Sequence, residues 1–397
     1  MTITQDMTTT TTTGAWDGAT HWSGADPTER WLATARALVP VLAAAADARD
    51  LDGAFVHDGF ELLKAEGLMG MMVPTELGGG GARHRDVAAV LAVLAHGCPS
   101  TSLAFSMHQH LVAAQVWRHQ RGLPAPVLTR VAAEQLVLIS TGASDWLGSN
   151  GRAERVDGGY RVSARKAPAS GCPAGDVLDT SFRFDDGPDG PQVLHAAVPF
   201  SAPGLGIEET WDSMGMRATG SHTVVLDDVF VPEAAVSLAR PADVWHPVWS
   251  TVLGVAMPLI MASYVGVAEA AADRALVLAG RRAERPDAAP RVGRMLNRLT
   301  AAQDAVRAML DATDELNFDN TLGHTARTLC RRSNAADAAI DTVRVALELG
   351  GGGAYGRAGG IERLFRDVHG ALYHPLPLAA QERFSGCVAL GLDPARG

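Results

Sequence analysis

Residues 349–376 read LGGGGAYGRAGGIERLFRDVHGALYHPL. Four glycines, Gly350 to Gly353, open the stretch, and a second pair, Gly359 and Gly360, precedes IERLFRDVHGAL, a short amphipathic helix. Pro375 stops that helix, because proline lacks the N–H a further turn needs. Glycines let backbone approach a ligand closely. The helix behind them delivers Arg366, Asp367, His369 and His374 to one neighbourhood. Two readings fit: a plain loop, surface helix and proline stop, or a ligand-contacting loop followed by a functional helix. The flanking sequence has to decide between them.

Upstream, ARTLCRRSNAADAAIDTVRVALEL and RVGRMLNRLTAAQDAVRAMLDATDELN are long and amphipathic at helical spacing. Before them, Pro247 to Ala268 (PVWSTVLGVAMPLIMASYVGVA) carries no charge and is long enough to span a bilayer. It also holds Gly254, Pro258, Gly266, Ser263 and Tyr264, and a helix apolar all round is what the centre of a soluble bundle needs. The expectation is a buried helix and no membrane. With the short helix of the opening stretch, these form a C-terminal four-helix bundle over residues 241–397.

The texture differs over residues 137–240. LVLISTGASDWLGSN, GRAERVDGGYRVSARKAPASG, GDVLDTSFRFDD, QVLHAAVPF and SHTVVLDDVFVP are short, alternate in polarity, and are separated by Asp-Gly and Gly-Gly turns. They read as a central antiparallel β domain. Residues 28–136 are helical again, in Ala/Leu-rich runs with short Gly loops, and make an N-terminal α-helical domain. Residues 1–27 form a Thr-rich tail with no basic segment leading into an apolar one. This reads as disordered rather than as a signal peptide. The fold class is therefore α+β: helical domain, β domain, helical bundle.

The chain has 397 residues, enough for a large core. Its net charge of −10 argues against nucleic acid, which requires a concentrated basic face. Cys98, Cys172, Cys330 and Cys387 lie far apart, so neither a metal site nor a disulfide framework is expected, and a cytoplasmic setting follows.

This order resembles the acyl-CoA dehydrogenase superfamily, and particular residues carry the resemblance. Trp211-Asp212-Ser213-Met214-Gly215-Met216-Arg217-Ala218-Thr219-Gly220-Ser221, followed by VVLDDVFVP, is similar to that family's W-x-x-x-G-M-R-x-T-x-S…V-x-V-P signature. ARKAPASG (Ala164 to Gly171) resembles its G-x-K-x-[WF]-[IV]-[ST]-[NG] strand, and the opening stretch resembles its L-G-G-x-G-[FY]…R-x-x-R-D segment. The resemblance implies flavin, FAD in preference to FMN, bound between β domain and bundle. It also implies a homotetramer or homodimer in which a neighbour's Gly-rich segment (Gly350, Gly351, Gly353 here) touches the cofactor. Thr141 and Ser149 stand in the loop that holds the flavin's pyrimidine edge, although this loop, STGASDWLGSN, lacks the family's Glu-Pro and is longer. Ser170 stands where a hydroxyl faces the flavin N5 region, and Pro168 replaces the usual shielding aromatic. Arg366 is the second arginine of R-x-x-R-D. Arg281, Arg282 and Arg291 are basic residues available to a neighbour's diphosphate.

Dehydrogenation of an acyl thioester needs a positioned carboxylate base. The two positions where the family carries it are occupied here by Pro375, with His374 beside it, and by Ala256 or its neighbours Val255 and Met257. The spacing from Arg366-Asp367 to His374 resembles the flavin-dependent monooxygenases built on this fold, in which a His beside the flavin supports its oxygen adduct. An imidazole can hydrogen-bond such an oxygen, or act as a general base, and His374 could equally cap the helix before Pro375. In LAFSMHQH, His108 and His110 point about 200° apart on a helix, so at most one faces a pocket, and the choice falls on His108. His369 reads as a solvated residue.

The expected function is a flavin-dependent oxidoreductase, leaning to a monooxygenase or oxidase of a small organic substrate with catalytic His374 and His108. A separate flavin reductase or electron-transfer partner is expected, because no nicotinamide-binding glycine motif follows a strand. The alternatives are an acyl-CoA or acyl-carrier-protein thioester dehydrogenase with a displaced base, and a non-catalytic partner subunit.

Overall fold

The computed structural model describes residues 27–141, 145–281 and 286–395. The Thr-rich segment, with the disorder expected of it, lies outside the described residues, as do Arg282 and residues 142–144 of the altered loop. Five helices come first: α1 (Pro27–Asp52), α2 (His57–Ala65), α3 (His84–Gly97), α4 (Pro99–His119) and α5 (Val127–Glu134). Eight strands follow: β1 (Leu138–Ser140), β2 (Arg152–Val156), β3 (Gly159–Ala169), β4 (Val177–Phe184), β5 (Gln192–Pro199), β6 (Leu205–Glu208), β7 (His222–Pro232) and β8 (Val236–Pro241). The remaining helices are α6 (Pro247–Gly280), α7 (Ala288–Thr313), α8 (Leu322–Gly350), the single turn α9 (Gly352–Tyr355), α10 (Ile361–Val368) and α11 (Leu378–Ala389).

The sheet runs β6-β7-β3-β2-β4-β5-β8, with β1 beside β4. The antiparallel expectation needs one correction, because the sheet is mixed. β1 pairs parallel to β4, and β2 meets β4 in parallel through Arg152 and Arg183. A parallel pair needs a crossover, and here the β2–β3 hairpin, closed by Asp157-Gly158, supplies part of it. β1 and β2 therefore share one edge of β4, and residues 145–150 span the gap between them.

The uncharged run became α6, the central helix. It packs against α3 and α4 on one side and α7 and α8 on the other. It is long and apolar enough to cross a membrane, yet 94% of its apolar window is buried inside this fold. Pro247 starts it, where a missing N–H costs nothing, and His246 Nδ1 accepts from Val248 N at 3.2 Å to cap it.

The β6–β7 connection carries WDSMGMRATGS to the opening stretch. Gly215 lies so close to α10 that a Cβ there would sit 2.2 Å from the Arg366 carbonyl oxygen. The next residue, Met216, donates its backbone N–H to Asp367 Oδ1 at 2.5 Å. The two motifs most distinctive in sequence are thus one contact in space, and they form one wall of a cavity.

Candidate active site

A cavity of about 560 Å³ lies where the sheet, α4, α6 and the segment after α10 meet. The sheet side contributes a row of hydroxyls: Ser140, Thr141, Ser170, Thr219 and Ser221. Four of them are tied to one another or to a strand. Thr141 Oγ1 bonds Thr180 Oγ1 at 2.6 Å, Ser170 Oγ bonds Ser221 Oγ at 2.8 Å, and Thr219 Oγ1 bonds Ser221 Oγ at 2.7 Å. A hydroxyl held at its oxygen keeps a second hydrogen-bonding position for a ligand. The apolar walls come from Trp146 and Trp249, whose ring centroids lie 4.6 Å apart, from Met107 and Leu103 of α4, and from Met257 and Ile260 of α6.

Trp146 is set in this wall by a buried knot behind it. Lys166 is fully buried, and its Nζ donates to Asp145 Oδ2 at 2.6 Å, to the Asn150 carbonyl at 2.9 Å and to Ser149 Oγ at 3.1 Å. Arg240, also buried, donates to the Leu147 carbonyl at 2.7 Å and the Asp145 carbonyl at 3.3 Å. Two buried cations thus pin the altered loop from Asp145 to Asn150. Ser149, expected at the cofactor, is not among the residues lining the cavity. Its hydroxyl donates to the Ser181 carbonyl at 2.9 Å and belongs to the knot.

The far wall is the opening stretch. Arg366, His369, Gly370, Tyr373, His374 and Pro375 all line the cavity. The Arg366 guanidinium lies between Asp50 (2.6 and 2.9 Å) and Glu362 (2.6 and 3.2 Å), whose carboxylates hold its pKa above the usual arginine range. Its charge is already compensated, so an anion gains little from it. Gly350, Gly351 and Gly353 close α8 and open α9 and are not among the lining residues; Gly353 is exposed on the surface. Arg291 pairs with Asp287 at 3.2 Å.

His374 Nε2 lies 2.8 Å from the hydroxyl of Tyr264 on α6. The phenol is 1% exposed, and burial pushes its pKa well above the ordinary 10. Burial first, then the charge of Arg332, lowers the His374 imidazole to about 3. Arg332, on α8 and 1% exposed, donates from Nη2 to the Ala371 carbonyl at 2.7 Å and the His374 carbonyl at 2.8 Å, which fixes the backbone under the imidazole. Tyr264 carried no signal in the sequence beyond being a polar residue in an apolar run.

The expectation for His108 is corrected. Its Nε2 lies 3.0 Å from the Met69 carbonyl, and its Nδ1 accepts the Leu138 N–H at 3.0 Å, so both ring nitrogens are spent tying α4 to neighbouring backbone. His110 lines the cavity instead. His369 also lines it, with Nδ1 2.6 Å from the Phe365 carbonyl. Ala256 and Pro375 both line the cavity, and the described lining residues include no Asp or Glu.

Two family models match the chain: the acyl-CoA dehydrogenase N-terminal domain over residues 28–120 and the acyl-CoA dehydrogenase C-terminal domain over residues 259–376. The chain belongs to the acyl-CoA dehydrogenase superfamily. It is 32% identical over 391 residues to the L-evernosamine nitrososynthase of a Micromonospora species, across 90% of this chain and 89% of that protein. It is 32% identical over 208 residues to the isobutylamine N-hydroxylase of Streptomyces viridifaciens, across 49% of this chain and 53% of that protein. Among solved structures, KijD3 in complex with FMN and dTDP-3-amino-2,3,6-trideoxy-4-keto-3-methyl-D-glucose is similar at a TM-score of 0.84 and 28% identity, over 96% of this chain and 98% of that one. The chain is a flavin-dependent oxidoreductase acting on a small organic substrate. The cavity suits such a cofactor: an apolar slot for a flat ring, edged by hydroxyls that can meet the ring's polar side.

Proposed function

We propose that this enzyme oxygenates a primary amine of a small molecule, an amino sugar being the favoured class, using reduced flavin delivered by a separate reductase. The observation that carries the reading is the Tyr264–His374 pair in a cavity with no carboxylate among its described lining residues. The similarity to a nitrososynthase, an amine N-hydroxylase and an amino-sugar-bound structure supports the substrate class.

Reduced flavin, when bound here, supplies molecular oxygen in an electrophilic form. What the residues must do is keep the amine nucleophilic and keep water out. An ammonium ion has no lone pair, and a cavity with no carboxylate among its described lining residues leaves such a cation unpaired and poorly solvated, so the neutral amine is the form it accepts. Thr141 and Ser170 would hold the polar edge of the flavin, and Trp146, Trp249 and Met107 exclude water. Among the described residues the buried Tyr264 hydroxyl has no hydrogen-bond partner but His374 Nε2, so the tautomer in which the phenol donates and Nε2 accepts is the one that leaves no buried hydroxyl hydrogen unpaired. A neutral imidazole then carries its proton on Nδ1, which has no partner among the described residues. His374 becomes a fixed N–H donor for an oxygen atom in the cavity, and holds that proton over the whole neutral range.

A dehydrogenase would need a carboxylate where Ala256 and Pro375 stand, and His374, held near 3, is a weak base. FAD, expected from the sequence, and FMN, bound in the KijD3 structure, differ only beyond the ring portion, so titrating the apoprotein with each identifies the flavin. The Gly350–Gly353 segment is proposed to meet the cofactor of a neighbouring copy in a homodimer or homotetramer. The test of function is mass spectrometry of product under ¹⁸O₂, with reductase, NADH, flavin and the dTDP-3-amino sugar. Heavy oxygen on the amine nitrogen is expected. Flavin bleaching by an acyl-CoA without oxygen, and no labelled product, would overturn the reading.

A further inference from the structure

His110 is a buried histidine with half of its hydrogen-bonding capacity unused. It is 5% exposed and lines the cavity. Its Nδ1 lies 3.3 Å from the Ser106 carbonyl, one helical turn earlier. A carbonyl only accepts, so Nδ1 carries the hydrogen. Burial holds the ring neutral, with its pKa lowered to about 4. In that tautomer Nε2 presents a bare lone pair, and it has no partner among the described residues. An unpartnered polar atom on an otherwise buried side chain, open to the cavity, marks the place where a ligand supplies the partner. The other α4 residues on this wall are Leu103 and Met107, so His110 is the polar side chain this helix contributes.

His374 is set the other way round. Tyr264 occupies its Nε2, which leaves Nδ1–H as a donor. The cavity therefore holds two neutral imidazoles of opposite polarity, an acceptor on α4 and a donor on the segment after α10. A primary amine matches this pair, because it offers N–H groups to an acceptor and directs its lone pair away from them. A carboxylate or carbonyl substrate would leave His110 Nε2 facing another lone pair.

We propose that His110 Nε2 accepts a hydrogen bond from the N–H of the substrate amine and so turns the nitrogen lone pair toward the flavin side of the cavity. This rests on the amine-oxygenase reading and assigns a substrate-binding residue that motif reading passes over.

The test is a binding measurement that needs no turnover. Calorimetry on the oxidised-flavin enzyme compares the dTDP-3-amino sugar with the same compound bearing hydrogen in place of the amine. Wild type should favour the amine by about tenfold, the worth of one buried hydrogen bond. His110→Phe should lose that preference while binding the deaminated compound as wild type does. His110→Gln, which keeps an acceptor, should restore part of it and controls for misfolding. Retention of the preference in His110→Phe, or its absence in wild type, overturns the assignment. A 3-hydroxy analogue separates the two claims. If wild type favours hydroxyl over amine and His110→Phe abolishes that, the acceptor role stands and the amine reading fails.

Discussion

Replacing Tyr264 by Phe removes one oxygen atom from the core and tests the tautomer argument directly. The phenol is 1% exposed and makes its hydrogen bond to His374 Nε2 at 2.8 Å. Without it, Nε2 is left in a desolvated wall with no donor, at a cost of about 1–3 kcal/mol. For a chain of 397 residues each kcal/mol lowers the unfolding midpoint by roughly 1–2 °C. In turnover, the same 1–3 kcal/mol lost from the correctly oriented Nδ1–H donor corresponds to a roughly 5- to 150-fold slower oxygenation. Flavin affinity is measured alongside, to separate loss of the oriented donor from loss of cofactor. Gly370→Ala gives an independent route to the same state. Its Cβ would stand 2.6 Å from the Tyr264 oxygen and 3.3 Å from Cζ, so the phenol must move off the imidazole. The assays are labelled-product formation at saturating reduced flavin, flavin titration, and thermal unfolding. A Tyr264→Phe enzyme with turnover within twofold of wild type and an unmoved midpoint would refute the fixed-tautomer role of His374.

Two further outcomes follow from buried charges elsewhere. Lys166→Met leaves Asp145 buried and unpaired and should cost about 3–5 kcal/mol, whereas Lys166→Met with Asp145→Leu should recover much of it; equal stability of single and double variants in denaturant titration would show that the pair is not coupled. Stability should also fall as pH drops from 6.5 to 5. Five imidazoles (His84, His108, His110, His195 and His374) are lowered by burial to about 3 or 4, so their contribution is present above 6.5 and lost as pH falls toward those values. Asp179 and Asp367, raised by burial to about 6, act oppositely: their contribution is present below 3.8 and lost as pH rises through 6. At pH 5 the imidazoles outweigh the carboxyls, and unfolding takes up about three protons net. A denaturation midpoint flat or rising from pH 6.5 to 5 would contradict this.

The order of helical and strand regions was legible because periodicity changes at their borders, near residues 137 and 241. The buried α6 was legible from its lack of any polar face. The mixed pairing of the sheet was not. β1 is three residues long, Leu138 to Ser140, and so short a strand carries no mark of its partner's direction. The knot behind Trp146 was equally hidden. Period 2 sets Lys166 on the inward face of β3 with Tyr160, Val162 and Ala164, but only the fold shows that residues 145–150 close over its charge.

The site was half legible for a geometric reason. His374 could be found by counting along one segment from Arg366-Asp367, because a local spacing survives in sequence. His110 could not, because α4 is buried on nearly every side. An amphipathic helix advertises which face meets a pocket, but a helix buried all round does not, so nothing in LAFSMHQH separated a histidine bonded to backbone through both nitrogens from one with a nitrogen to spare. Tyr264 was hidden by the same rule inside α6. Arg332 completes the argument. It is a buried cation whose Nε has no partner and whose bonds go to carbonyls, set beneath the one segment that carries His374. Placing a positive charge there, with no carboxylate among the described residues that line the cavity, makes every neighbouring protonation more costly. His374 stays neutral for that reason as well as through burial, and an amine entering the cavity beside it meets the same field. On the amine-oxygenase reading proposed above, the bundle that shapes the pocket also favours the uncharged, nucleophilic form of the substrate.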